Sequence, residues 1–272
     1  MTPPLRAVQS KYLKQFSECF ERFGFRFFLS PELNKEECES LASVVSHQTE
    51  PERYFKKVRR RIVMQTGRLV VKLYEFHGLS DLLHSKRYGS REVECYQDYL
   101  LAFDSLPGVR LPHLFGYFEK KLPFGFFRAN GIVDEFIPNT RRLTIKELML
   151  TPPLFAHLFR KGIYHPDMQF QNTLWHEETR YLIPIDYMGC NFLAAPNHEA
   201  LLIMMARFLQ TGSVEEKAGR LFVHAVLDLL PEVTLDNEKA WRCVQELCHS
   251  KLETHQYHHP IFLTPKMRQI LE

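Results

Sequence analysis

The chain has 272 residues, of which 45% are hydrophobic and 25% are charged, and its formal net charge is +3. This composition is ordinary for a globular protein made of one large domain, or of two lobes that share a cleft. No apolar run reaches the roughly 18 residues that a membrane-spanning helix needs, and the N-terminus lacks the apolar core of a signal peptide. The small positive charge gives no argument for nucleic acid as a partner. We therefore expect a cytoplasmic protein.

Six cysteines are scattered too sparsely for a disulfide scaffold, which fits a reducing compartment. The one dense stretch runs from Cys243 to His259, and its cysteines and histidines raise the alternative of a zinc site. However, its apolar residues repeat at helical spacing, and it contains no pair of ligands at C-x-x-C spacing. We interpret it as a packed helix followed by a polar tail.

The first fifty residues read mainly as helix. Residues 10–23 carry apolar side chains at helical spacing, and a second helix is predicted to open at Pro31, in the position that proline favours. A strand, GFRFFLS, separates the two helices. We expect residues 1–53 to form a helical N-terminal extension that includes this first strand.

A small sheet is predicted next. Residues 54–65 and 69–74 read as a hairpin whose turn contains Gly67, and Lys72 lies in its second strand, LVVKLY. Residues 90–103 have apolar side chains on one helical face, and further strands are predicted at 114–119 and 131–137.

Helical patterns dominate after Pro138, and residues 198–210 are too apolar for an exposed helix. This change of pattern predicts two lobes in a single domain. The sheet-rich lobe is expected over residues 54–138 and the helical lobe over residues 139–272, with the junction near residues 135–139.

The stretch HPDMQFQN combines His165, Asp167 and Asn172, and Asp186 follows in IPIDYMG. The residues between Asn172 and Asp186 read as a hairpin, which would bring Asp167, Asn172 and Asp186 together. Carboxylate and amide oxygens suit Mg²⁺, which binds through a few such groups and through substrate phosphates. We predict that Asn172 and Asp186 hold the metal, and that Asp167 orients a hydroxyl group and accepts its proton. His165 is expected to stabilise the loop.

Two upstream residues would complete a site for phosphoryl transfer. Lys72 can reach the α and β phosphates of a nucleotide, and a carboxylate from the next helix would hold it in place. Glu92 and Glu94 are both candidates for this carboxylate. The residues three, four, seven and eight positions after Glu92 are apolar, whereas those three and four positions after Glu94 are polar. Helical geometry therefore places Glu92 at the edge of the buried face, and we choose it.

These motifs, in this order and at this spacing, resemble those of the protein-kinase-like superfamily. The matching stretches are VVKLY for the lysine strand, SREVECYQDYL for its partner helix, GIVDEFIP for the hinge, HPDMQFQN for the catalytic loop and IDYMG for the metal-binding aspartate. The resemblance implies an α+β fold of two lobes, with a small antiparallel sheet, a reduced helical lobe and an extra helical segment at the N-terminus. It also implies ATP and Mg²⁺ as cofactors, with Glu135 and Phe136 of the hinge at the nucleotide.

The chain departs from the superfamily pattern in three ways. Gly67 is the only glycine between Tyr54 and Lys72, so no glycine-rich loop precedes the lysine. Residues 186–189 read DYMG, one residue longer than the usual Asp-Phe-Gly, and no Ala-Pro-Glu sequence follows. The platform on which protein kinases dock peptides is therefore expected to be cut down.

Short kinases of this kind resemble the bacterial lipopolysaccharide core kinases, which phosphorylate a heptose or Kdo sugar at the cytoplasmic side of the inner membrane. The stretches RFGFRFFLSPELNKEE, GRLVVKLY and YGSREVECYQDYL are most similar to the heptose kinase branch. The resemblance implies a sugar or glycolipid acceptor and peripheral contact with the inner face of the membrane. Two alternatives stay open: a serine/threonine protein kinase, for example an effector, and a catalytically inactive pseudokinase that acts as a binding module.

A run of basic residues near the lysine strand bears on the membrane contact. It could bind ATP phosphates, anionic lipid or the phosphates of lipid A, or it could be a solvated face of an edge strand. Its members are Lys56, Lys57, Arg59, Arg60, Arg61 and Arg68.

Overall fold

A computed structural model of the chain describes Phe16 and residues 18–78, 80–82, 91–187, 189–249 and 269–271. The described residues up to Gln97, together with those from Pro112 to Pro138, form one compact unit, here called the sheet unit. The described residues from Asp98 to Leu111 and from Asn139 onward form the other, the helical unit.

The regular elements follow the α+β pattern that the sequence predicted. The strands are β1 (Glu18–Arg22), β2 (Phe25–Leu29), β3 (Arg53–Val58), β4 (Arg61–Thr66), β5 (Leu69–Glu75), β6 (Leu114–Lys121), β7 (Phe127–Glu135), β8 (Thr140–Arg142), β9 (Ile163–Tyr164), β10 (Thr173–His176), β11 (Leu182–Pro184) and β12 (Asn191–Phe192). The α-helices are α1 (Lys35–Val45), α2 (Arg91–Phe103), α3 (Pro152–Arg160), α4 (His198–Gly212), α5 (Glu216–Asp228) and α6 (Asn237–His249). Short 3-10 helices lie at Pro123–Gly125, Ile145–Leu150 and Phe170–Asn172.

The sheet unit is built on one antiparallel sheet of seven strands in the order β1-β2-β6-β7-β5-β4-β3. Along β5 the side chains alternate, so that Leu69, Val71 and Leu73 point into a buried apolar cluster and Lys72 points to the other face. The cluster also contains Leu41 and Val45 of α1, which therefore packs on the face opposite Lys72.

The predicted start of the second helix at Pro31 is wrong. The helix α1 begins at Lys35, because Asn34 and Glu37 form a capping box: each side chain accepts a hydrogen bond from the backbone N–H of the other, both at 2.9 Å. This reciprocal pair satisfies two N–H groups that a helix start otherwise leaves without an acceptor, and it outweighs the preference of proline for the first helical position.

The helix predicted for residues 10–23 is also wrong where the structure describes it, because residues 18–22 form β1. The turn from β1 to β2 consists of Phe23 and Gly24, with φ of 51° and 77°. Two positive φ values make the tight turn that suits a twisted hairpin. Phe20 then stacks on Phe27 across the hairpin, with ring centroids 4.8 Å apart. The pairing of Phe20 with Phe27 across the hairpin therefore favours a strand here, although the phenylalanines have helical spacing in the sequence.

The remaining sheet predictions are largely confirmed. Residues predicted as one strand, 54–65, form the two strands β3 and β4, joined by a turn at Arg59 and Arg60. The turn at Gly67, with φ of 55°, and the lysine strand β5 are as predicted. The strands predicted at 114–119 and 131–137 are β6 and β7, although β7 begins four residues earlier, at Phe127.

The helical unit combines helices α3 to α6 with a small sheet of order β11-β10-β8 and a two-stranded pair, β12 and β9. The predicted hairpin between Asn172 and Asp186 is confirmed as β10 and β11. The helix α4 is almost entirely buried, as its apolar sequence predicted. Its Phe208 packs against Phe155 of α3 and Phe222 of α5, with ring centroids 5.1 and 5.8 Å away.

The cysteine-rich stretch begins as the predicted packed helix, α6, which buries Trp241, Cys243, Val244 and Leu247. Burial raises the pKa of the Cys243 thiol to about 12. The polar tail at 250–268 lies outside the described residues. No helix in the described part of the chain is both long and apolar enough to cross a membrane.

Candidate active site

The predicted catalytic loop is held by hydrogen bonds among its own side chains. The side-chain amide of Asn172 donates to the backbone oxygen of Asp167 at 2.9 Å and to its carboxylate Oδ2 at 3.1 Å. The amide of Gln169 donates to the other carboxylate oxygen, Oδ1. A 3-10 helix at Phe170–Asn172 turns the chain back toward Asp167, which explains the spacing of five residues. Both oxygens of the Asp167 carboxylate are therefore fixed in direction.

The hairpin β10–β11 returns the chain to this loop. Thr173 pairs with Pro184 across the hairpin, and the backbone N–H of Ile185 donates to the backbone oxygen of Asn172 at 2.8 Å. Asp186 therefore directly follows Ile185, whose backbone is hydrogen-bonded to that of Asn172. The φ of Asp186 is 65°, in the left-handed region that residues other than glycine rarely adopt. Strained backbone of this kind clusters at functional sites.

His165 lies fully buried beside the loop. Its ring centroid is 5.9 Å from that of Tyr99, in an edge-on arrangement, and 6.0 Å from that of Tyr187. Burial lowers the pKa of His165, although the nearby carboxylates of Asp167 and Asp186 act in the opposite direction. Its packing against aromatic rings fits the structural role that the sequence predicted, but neither ring nitrogen has a hydrogen-bond partner among the described residues, so the predicted hydrogen bonding of the loop by this ring is not seen.

The oxygen groups near Asp167 fit a hard divalent cation. Asn172 uses its amide nitrogen for Asp167, which leaves its side-chain oxygen as an acceptor for another group. The described part of the chain contains no group of three His, Cys, Asp or Glu side chains that could enclose a metal by themselves. A metal held by Asn172 and Asp186 would therefore complete its coordination with phosphate oxygens and water, as Mg²⁺ usually does.

Lys72 lies in the sheet unit, near the middle of β5, and is only 5% exposed. Its Nζ atom lies 3.5 Å from Oδ2 of Asp134, which is also 5% exposed. The register explains this pair: Lys72 stands opposite Ile132 of β7, and Asp134, two residues further along, points to the same face. The sheet itself therefore supplies a carboxylate for the lysine.

The predicted partner of Lys72 stays a prediction. Glu92 and the alternative, Glu94, belong to α2, but their side chains lie outside the part of the chain that the structure describes. Further along the helix Cys95, Tyr96, Tyr99 and Phe103 are buried, as the choice of Glu92 assumed. Gln97 is also buried, with 5% exposure, so the polar position that was used to place Glu94 outside the buried face does not face solvent.

The predicted hinge residues, Glu135 and Phe136, lie at the end of β7 in the sheet unit. The backbone N–H of Glu135 donates to the oxygen of His113, and that of Phe136 donates to the oxygen of Arg68, both at 2.8 Å. The Phe136 ring stacks on Phe55, with centroids 6.1 Å apart. Since both backbone donors are engaged, a nucleotide contact by these two residues would use their carbonyl oxygens or side chains.

Sequence reasoning missed Asp134 and Gln169. Asp134 could have been found only from the pairing register of β5 with β7, strands that lie about sixty residues apart in the chain. Gln169 carried no signal at all, because a loop has no periodicity that marks which side chain turns back to Asp167.

Neither a protein-family model nor a curated protein sequence matches the chain. Solved structures do resemble it. WaaP, in a complex with acyl carrier protein, aligns with a TM-score of 0.51 and 14% identity over 85% of this chain and 92% of its own. WbdD aligns at 0.48, with 14% identity, over 82% of this chain and 50% of its own. The choline kinase LicA from Streptococcus pneumoniae aligns at 0.47, with 11% identity, over 82% and 91%.

The assignment of the fold rests on the alignment with WaaP, because the other two TM-scores fall below 0.5. The chain therefore has the protein-kinase-like fold that its motifs predicted.

Proposed function

We propose that the chain is an ATP-dependent kinase that transfers the γ-phosphate to a hydroxyl group of a lipopolysaccharide inner-core sugar, a heptose or Kdo. The observation that carries the proposal is the loop in which Asn172 and Gln169 fix the carboxylate of Asp167, with Asp186 in a strained conformation next to it. A structural connection has no need of a carboxylate that is oriented at both oxygens.

In this proposal Asp167 orients the acceptor hydroxyl and takes its proton late in the transfer. Asn172 and Asp186 hold Mg²⁺, which when bound neutralises charge on the phosphates. His165 keeps the loop in place.

Lys72 binds the α and β phosphates, and Glu92 supports it from α2. Lys72 and the catalytic loop belong to different units, and the order of the motifs in the sequence is the reason to assign them to the same nucleotide.

Nucleotide binding tests the metal assignment. A thermal-shift assay should show stabilisation by ATP only when Mg²⁺ is present, because a ligand that binds the folded state alone raises stability. Asn172→Ala and Asp186→Ala should each remove the Mg²⁺-dependent part of this shift. Asp228→Asn, at the end of α5, is the control and should keep it. An unchanged shift in both alanine variants would exclude these residues as metal ligands.

The acceptor is proposed from the resemblance to the lipopolysaccharide core kinases. Mass spectrometry of the core oligosaccharide from a strain that lacks the chain tests it. Loss of a single phosphate from one core sugar, restored by the wild-type chain and not by Asp167→Asn, supports the proposal. An intact core in that strain would instead favour a protein substrate or a binding module.

We also propose that the hairpin of β3 and β4 contacts an anionic membrane surface. The strand β3 is an edge of the seven-stranded sheet, and its side chains are nearly all exposed. Phe55 is the extra residue of a β-bulge and is 42% exposed, and Val58 is 51% exposed. The side chains of Lys56 and Arg59 form no hydrogen bond, ion pair or ring contact with another described residue. Exposed apolar side chains between cations are the pattern of a membrane-surface contact.

Flotation with vesicles separates this proposal from a merely solvated strand. The chain should float with vesicles that contain phosphatidylglycerol and not with pure phosphatidylcholine vesicles. Phe55→Ser should reduce flotation at constant charge, and Lys56→Glu should reduce it more strongly at low salt. Flotation that responds to Lys56→Glu and not to Phe55→Ser would indicate a general polyanion site and no insertion into the membrane.

A further inference from the structure

A pocket lies wholly within the helical unit, against the small sheet of β8, β10 and β11. Its volume is about 560 Å³, in the range typical of small-molecule sites. Trp175 of β10 stands directly opposite Arg141 of β8 on one side and Leu182 of β11 on the other. Val109 forms an isolated β-bridge with Leu182. All four residues line the pocket, so it rests on one face of this sheet. None of them has a part in the proposed phosphoryl transfer.

One wall of the pocket is a fixed network of charges. The guanidinium of Arg141 donates to Glu147 through two hydrogen bonds, at 2.8 and 3.2 Å, and also to Glu177. Glu147 accepts further hydrogen bonds from the backbone and side chain of Thr144. The hydrogen bond from Arg141 is the main cause that lowers the pKa of Glu147 to about 2. The one cation of this network, Arg141, is matched by two carboxylates, so this wall contributes no cation that is available to an anionic ligand.

Two other cations of the lining lack such compensation. Lys146 and Arg180 form no ion pair or side-chain hydrogen bond with any residue that the structure describes. The indole N–H of Trp175 likewise has no acceptor among these residues. The side chain of Leu150, 50% exposed, borders the same space. The pocket therefore offers an indole side chain with its N–H group and two cations that have no ion-pair partner among the described residues.

We propose that this pocket binds an acidic sugar. A sugar ring has an apolar C–H face that can pack on the indole of Trp175, and a hydroxyl group that can accept its N–H. A carboxylate or phosphate on the same sugar suits Lys146 and Arg180, since charge-assisted hydrogen bonds to cations are the strong ones. The two cations, Lys146 and Arg180, indicate that the ligand is an anion. The choice of a sugar rests on the proposed function, whose acceptor is a sugar.

Tryptophan fluorescence gives a direct test. The chain has two tryptophans, so Trp241→Phe leaves Trp175 as the only indole. Free Kdo, an acidic sugar, should change its emission saturably, with a dissociation constant on the order of 1 mM, equal to about −4 kcal/mol. Mannose, which has the ring without the charge, and acetate, which has the charge without the ring, should give no saturable change.

Variants and a second measurement complete the test. Lys146→Gln and Arg180→Gln should each weaken Kdo binding about tenfold, the typical effect of one charge-assisted hydrogen bond. Lys217→Gln, an exposed lysine of α5, should leave it unchanged. Equilibrium dialysis of labelled Kdo against the unsubstituted chain avoids any effect of Trp241→Phe on folding.

Three outcomes separate the pocket from the proposed function. Phosphoryl transfer without any Kdo binding would overturn the pocket assignment alone. Kdo binding that depends on Arg180, without transfer, would support the pocket and overturn the proposed function. Saturable binding of a labelled peptide rich in glutamate and leucine, with no response to Kdo, would overturn the sugar assignment in favour of a peptide-docking site.

Discussion

Removal of the Lys72 charge should destabilise the protein as well as inactivate it. The side chains of Lys72 and Asp134 are 6% and 7% exposed, and Nζ and Oδ2 are 3.5 Å apart. Two unit charges at this distance attract each other by about 5 kcal/mol at an effective dielectric constant of about 20. The cost of taking both charges out of water offsets much of this attraction. However, Lys72→Met leaves the cost of burying Asp134 while it removes the attraction.

We therefore expect Lys72→Met to lower the free energy of unfolding by about 3–5 kcal/mol, the usual cost of breaking a buried pair. This is a large part of the roughly 5–15 kcal/mol that stabilises a typical domain. The double variant Lys72→Met/Asp134→Asn should recover most of the loss, because no charge stays buried. Lys56→Met, an exposed lysine opposite Val63 on the same face, should change stability by less than about 1 kcal/mol.

The assay is urea denaturation followed by circular dichroism, with the four proteins compared at one pH. A Lys72→Met variant as stable as the wild type, or a double variant as unstable as Lys72→Met, would refute this description of the pair. The result also decides how kinase assays are read. Loss of activity in Lys72→Met indicates a direct role in transfer only if it persists in the stable double variant.

Three further predictions concern the helical unit. Asp167→Asn keeps the shape of the loop but removes the proposed base. Calorimetric ATP affinity should therefore stay constant while phosphoryl transfer falls by roughly 10²–10⁴. Loss of both would indicate a structural or metal-holding role. The pKa of Glu147 is about 2, below its ordinary 4.5, so this carboxylate stabilises the fold above about pH 4.5. The stability advantage of the wild type over Glu147→Gln should therefore disappear as the pH falls from 4.5 toward 2 in acid titrations, and a constant difference would contradict the assignment. In Gly212→Ala the new methyl group would lie 2.5 Å from the Phe170 ring, so the free energy of unfolding should fall by about 1–3 kcal/mol. Gly78→Ala is the control, because a methyl group there meets open space, and thermal unfolding should show no such loss of stability.

Much of the fold could be predicted because single segments carried strong local signals. The lysine strand alternates between a buried apolar face and Lys72, and α4 is so apolar that only burial suits it. The hairpin before Asp186 was visible as two short apolar runs around a polar turn. These signals depend on neighbouring residues, which the sequence displays directly.

The errors arose where a distant partner or a competing turn decided the structure. Phenylalanines at helical spacing became strand β1, because Phe20 pairs with Phe27 across a two-residue turn. The site showed the same limit. The loop motif gave Asp167 and Asn172, but the ion pair of Lys72 with Asp134 depends on a register between strands far apart in the chain.

Transfer of the γ-phosphate in a purified system tests the central claim most directly. The chain, ATP labelled at the γ-phosphate, Mg²⁺ and dephosphorylated core oligosaccharide are combined, and the label is located by chromatography and mass spectrometry. We predict label on one inner-core sugar with the wild type and a loss of roughly 10²–10⁴ with Asp167→Asn. Label that stays in ATP while the chain binds the nucleotide, or that appears only on protein, would contradict the assignment of a sugar kinase.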